Sequence, residues 1–151
     1  MSSISNDQEL RAALEKLSLA DQRLLGARFA ASVLNLSNND RLAKVAETAM
    51  EPDLADTERD ETFKAAKSIA VQTYTACGSD ADWAAQAEHF VAMAYVAVLT
   101  PEPQIVTRTN LAWKAAIQAR MAKNCAMIEN DAGDVQNEAV KQYEIAADFI
   151  A

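Results

Sequence analysis

Apolar residues recur along the chain at three- and four-residue spacings, the period of a helix with one buried face. The spacing predicts a first helix over residues 7–17, with Leu10, Ala13, Leu14 and Leu17 on one side. Ser18 reads as an N-cap, and Asp21 returns a carboxylate to the first turn. The second helix is expected to continue to about Leu36, burying Leu24, Leu25, Phe29 and Val33. Ser37, Asn38, Asn39 and Asp40 are turn and cap residues, and a short third helix follows over residues 41–50. Pro52 has no amide hydrogen and stops it.

Thr57, with Asp60 three residues later, opens a fourth helix carrying Phe63, Ala66, Ile69, Ala70 and Thr73. It closes at Cys77-Gly78, where glycine suits a left-handed cap. Ser79 with Asp82 opens a fifth helix that runs to Leu99. After the stiff linker Thr100-Pro101-Glu102-Pro103, a sixth helix is expected over residues 106–129, with Trp113, Ile117, Met121 and Ile128 as its buried stripe. Residues 131–134 break the chain again. A seventh helix then reaches the C-terminus, with Val135, Ala139, Tyr143, Ala146 and Ile150 on one face.

The fifth helix is the most informative. From Phe90 to Leu99 its ten residues are all apolar, so it has no polar side, and a soluble helix of that kind is surrounded by other helices. The expected fold is therefore an all-α single-domain bundle of six to seven helices over residues 1–151, with residues 80–99 as the buried central helix. Alanine fills 32 of the 151 positions, and its small side chain lets helix axes approach closely. Two spacings hint at duplication. Ser18, Asp21 and Phe29 recur as Ser79, Asp82 and Phe90, and Phe63-Lys64-Ala65-Ala66 resembles Trp113-Lys114-Ala115-Ala116.

Composition narrows the function. Three glycines and three prolines are too few for a loop-rich or all-β chain. The net charge of −8 opposes nucleic-acid binding, which rests on lysines and arginines neutralising phosphates. A ten-residue apolar run falls short of the roughly 20 residues of a membrane-spanning helix. The first ten residues have neither the basic nor the apolar region of a secretory signal. Two cysteines 48 positions apart make no disulfide framework, so a cytoplasmic protein with reduced thiols is expected.

Catalytic chemistry finds little to stand on. His89 is the single histidine; a zinc site needs three or four ligands and a di-iron bundle needs two Glu-x-x-His motifs. It reads as a histidine at the edge of the core. Cys77 lies near a helix C-terminus, which disfavours a thiolate, and Cys125 is mid-helix; both read as small apolar fillers. There is no nucleophile elbow and no glycine-rich phosphate loop. The expectation is no catalytic residue, no cofactor and no metal.

Charge is the strongest remaining signal. Residues 47–61 hold seven acids and one base, a net of −6. Residues 129–151 hold six acids and one base, a net of −5, while residues 105–128 hold four bases and no acid. Arg108, Arg120 and Lys123 make at best a loose patch, and pairing with acids of neighbouring helices explains them better. The spacing of Asp53, Asp56, Glu58 and Asp60 lacks the glycine and the 12-residue frame of an EF-hand calcium loop. The favoured function is a non-enzymatic protein-interaction module, such as an adaptor, an inhibitor or immunity-type protein, or an assembly subunit. It would use Glu51, Asp53, Asp56, Glu58, Asp60 and Glu61 to meet a basic protein partner. The alternative is a small-molecule carrier with an apolar pocket lined by Phe90, Met93, Tyr95, Trp113 and Met121. Self-association is expected under either reading, because Val140, Ala147 and Phe149 give the seventh helix a second apolar side.

Overall fold

Each early helix begins where a short polar side chain can catch the amides of its first turn. Asn6 accepts from the Glu9 amide at 2.8 Å and starts α1 (Asp7–Glu15). Ser18 Oγ accepts from the Asp21 amide at 3.1 Å and starts α2 (Leu19–Ala31). Asn39 Oδ1 accepts from Arg41 and Leu42 and starts α3 (Asp40–Ala49). The rest of the chain forms α4 (Asp56–Ala76), α5 (Trp83–Leu99), α6 (Leu111–Asn130) and α7 (Glu138–Ile150). This computed structural model describes residues 3–76, 83–130 and 138–151. The described residues form an all-α bundle without strands, as the periodicity predicts.

α5 lies at its centre. It packs against α2, α3, α4 and α6, and buries Ala87, Val91, Ala92, Ala94, Tyr95, Ala97, Val98 and Leu99. The main core gathers around it from α2, α3, α4 and α6. A second cluster joins Leu10 and Leu14 of α1, Leu25 and Phe29 of α2, Ala112 and Ala116 of α6 and Ala146 of α7. Gly26 of α2 marks the closest approach. A Cβ there would overlap Val98 Cγ1 and stand 3.3 Å from the backbone of Ala112.

Several expectations are corrected. α2 ends at Ala31 rather than Leu36, and Leu34–Leu36 form a separate 3-10 turn. Ser32, just past the helix end, turns its hydroxyl to the Phe29 carbonyl and to Glu138 of α7, which anchors the break. α4 begins at Asp56, so Thr57 is inside the helix rather than capping it; the Ala55 carbonyl takes the Arg59 amide at 2.9 Å. α6 begins at Leu111, not Val106. Asn110 caps it by accepting from the Trp113 amide at 3.0 Å, and its own amide donates to the Leu14 carbonyl at 2.9 Å. Arg108, at φ 69°, takes the left-handed backbone of the preceding turn and so leaves the helix altogether.

The buried face of α6 is also corrected. Met121 and Ile128 are exposed, while Ala112, Ala115, Ala116, Ala119 and Ala122 are fully buried. The close approach of α2 and α5 admits methyl groups and excludes longer side chains. On α7 the buried face carries Glu138, Gln142 and Ala146, whereas Ile150 is exposed. Gln142 is tolerated there because its amide donates to the Ala116 carbonyl at 2.9 Å and its oxygen accepts from Arg120 at 2.8 Å. Cys77, Gly78, Ser79, Asp82, residues 131–134 and Val135 lie outside the described residues, and with them the caps that the duplication would compare. Phe63 and Trp113, which it also pairs, sit in different surroundings: Phe63 in the main core, Trp113 between two arginines.

Candidate functional site

The largest cleft among the described pockets runs along α4. One face of that helix carries Asp56, Arg59, Asp60, Phe63, Lys64 and Lys67, spaced by three and four residues. At 1.5 Å per residue the stripe is about 16 Å long. Opposite it stand Leu19, Ala20 and Arg23 of α2 and the turn Pro101–Gln104, enclosing a cleft of about 1240 Å³. Pro101 and Pro103 stiffen that wall, and residues 102–104 form a 3-10 turn.

The charges along the stripe are ordered. Asp56 and Asp60 stand in the first turns of α4, with Glu102 also lining the cleft; Lys64 and Lys67 follow further along the helix. Arg59 donates to Asp56 at 2.7 Å and to the Leu54 carbonyl at 3.1 Å. Lys67 lies over the Phe63 ring at 5.4 Å, and Phe63 is itself largely buried. Arg23 is half-buried and donates to the Val98 carbonyl at 2.7 Å, one of the carbonyls left over at the end of α5. No carboxylate of the described residues stands within 4.0 Å of it. Burial, with the neighbouring Arg59 adding to it, lowers the Arg23 guanidinium to about 10, while Glu102, Asp56 and Asp60 pull the other way.

The six acids of the interaction reading are all exposed, but they do not share one surface. Asp56 and Asp60 line the cleft. Glu51, Asp53 and Glu58 instead surround Lys44 in a shallower depression with Glu47 and Thr48. Glu61 faces Arg41 and Lys44 in a small apolar pocket between α3 and α4. What sequence reasoning missed is the other side of the cleft: Arg23 and residues 101–104, far along the chain from the acidic run.

The five residues of the carrier reading are not brought to one cavity. Tyr95 is fully buried in the main core, with Phe90 and Met93 packed against it. Trp113 belongs to the second cluster, where Arg11 and Arg120 lie over its ring at 5.0 and 5.3 Å. Met121 is exposed. Arg120 is held by Asp7 through two hydrogen bonds of 2.8 and 2.9 Å, and Tyr143 donates to the same carboxylate at 2.8 Å. These bonds, Arg120 foremost, hold Asp7 below the usual carboxylate range. Arg120 thus pairs with an acid of a neighbouring helix. On α7, Val140 is exposed and Phe149 lies under Arg28 at 4.9 Å.

His89 is half-buried at the core edge. Its Nδ1 is 2.8 Å from the Ala70 carbonyl, which can only accept, so the proton sits on Nδ1. Tyr74 and Phe90 flank the ring. Cys125 is buried. Among the described residues no three His, Cys, Asp or Glu side chains converge to hold a metal ion, and Asp53, Asp56, Glu58 and Asp60 are no exception. No helix among them is long and apolar enough to cross a membrane. No family model, no curated protein and no solved structure matches the chain.

Proposed function

We propose that the protein is a non-catalytic interaction module that receives a peptide segment of a protein partner in the cleft along α4. The observation that carries this reading is the stripe of Asp56, Asp60, Phe63, Lys64 and Lys67 facing an open cleft about three helical turns long. Leu19, Ala20 and the two prolines offer apolar contact, and the charged groups fix register and direction. Asp56 and Asp60 meet basic side chains of the segment, with Glu102 across from them.

The test is capture of the partner from the native cell by wild-type protein and by two charge-reversed variants. Asp56→Lys with Asp60→Lys alters the cleft. Glu144→Lys with Asp148→Lys makes the same change in net charge on exposed positions of α7. The reading expects capture to be lost in the first variant, retained in the second and weakened by salt. Equal capture by both variants overturns it.

A further inference from the structure

Arg23 is a half-buried cation of the cleft that no carboxylate of the described residues pairs. A guanidinium carries five N–H donors in a planar fork, and the Val98 carbonyl takes one of them. Arg59, the other half-buried cation of the cleft, already has the Asp56 carboxylate and the Leu54 carbonyl. Arg23 has no carboxylate at ion-pair distance among the described residues, although three acids stand around the same cleft. Partial burial has removed part of its hydration, and the neighbouring guanidinium repels it. Such a group is stabilised by an anion that brings two coplanar oxygens.

We infer that Arg23 is the anchor of the cleft and binds a carboxylate of the docked peptide segment through the N–H groups it does not give to Val98. The inference rests on the docking reading above. A carboxylate is favoured over a phosphate by the charges that reach Arg23. One base, Arg59, and three acids, Glu102, Asp56 and Asp60, act on it, while Lys64 and Lys67 lie further along α4, so a dianion at Arg23 meets more repulsion than a monoanion does. The bound segment therefore carries both signs: a carboxylate at Arg23 and basic groups towards Asp56, Asp60 and Glu102. Capping α5 accounts for one N–H of Arg23; the carboxylate accounts for its position beside Arg59 in an open cleft.

The test needs no partner. The Arg23 Nε–Hε resonance and the backbone amides of Val98, Leu99, Thr100, Glu102 and Gln104 are followed by NMR during titration with sodium acetate, with sodium chloride at matched ionic strength and with inorganic phosphate. A saturable shift with acetate that chloride does not reproduce is expected, with phosphate weaker. Arg23→Lys keeps a donor for Val98 and a positive charge but loses the fork, so it should weaken acetate about tenfold, the worth of one charge-assisted hydrogen bond. Its far-UV spectrum and melting temperature report that the fold is kept. The inference is overturned by shifts that follow ionic strength alone, by acetate binding unchanged in Arg23→Lys, or by phosphate binding more tightly than acetate. If these overturn it while Asp56→Lys with Asp60→Lys still abolishes capture, the anchor alone is wrong; if that capture effect is absent, the docking reading fails independently.

Discussion

Replacing Gly26 by alanine adds one methyl group where α2 meets α5 and α6, and it opposes two effects of known size. Alanine in a helix interior gains about 0.5–1 kcal/mol over glycine because the unfolded chain has less freedom to lose. At Gly26 the new Cβ would overlap Val98 Cγ1 and crowd Ala112 Cα and Ala115 Cβ, each at 3.3 Å. Val98 is β-branched and stiff in a helix, and it is fully packed, so it cannot swing aside. Overpacking of this kind costs about 1–3 kcal/mol. The expected net loss is about 1–2 kcal/mol, a fall in Tm of roughly 2–8 °C for a chain of this length. Urea denaturation followed by far-UV circular dichroism reads it. Val98→Ala removes the overlapped methyl groups, so in the Gly26→Ala background it should cost at least about 0.5 kcal/mol less than in the wild type. A Gly26→Ala protein more stable than wild type, or strictly additive effects in the pair, would refute the close approach of α2 to α5.

Three further perturbations test the polar groups that the packed helices bring together. Asp7 is held below the ordinary carboxylate range chiefly by Arg120, so its ionised form is favoured in the folded state. The stability it contributes is complete above about pH 4 and is lost as pH falls through the lowered value; Asp7→Asn should flatten the fall in urea midpoint below about pH 4, and an unchanged acid limb would count against the pair. Arg120→Ala should cost about 1–3 kcal/mol at neutral pH, because the buried Gln142 oxygen loses its donor, and intrinsic tryptophan emission should report the altered surroundings of Trp113. The Tyr95 hydroxyl is fully buried with no hydrogen-bond partner among the described residues, and burial raises its pKa. Tyr95→Phe should therefore be neutral or stabilising by about 1 kcal/mol in thermal denaturation, and a clear loss would show that the hydroxyl has a partner.

What could be read from the sequence was what nearby residues decide. Ser18 caps α2 through an amide three residues away, and the all-apolar run from Phe90 identifies the central helix by itself. The faces of α6 and α7 could not be read that way. Large side chains usually mark a core, but Gly26 brings α2 so close that alanines line the contact on α6, while Met121 and Ile128 face outward. Gln142 and Glu138 are buried because Arg120, Ala116 and Ser32, distant in sequence, satisfy them. Asn110 looks like an ordinary helix residue until its amide finds the Leu14 carbonyl across the bundle. The acidic run was visible as a run of charge. Its division between the two sides of α4, and the facing of Asp56 and Asp60 by Arg23 and Pro101, arise only when the helices pack.

Site-specific photo-crosslinking in the native cell tests the docking cleft most directly. The photoreactive residue p-benzoylphenylalanine is placed at position 64 in the cleft and, separately, at position 144 on α7. The account predicts a discrete protein adduct from position 64 that disappears when Asp56 and Asp60 are changed to lysine. An adduct from position 144 alone, or the same adduct from position 64 after those charge reversals, would contradict it.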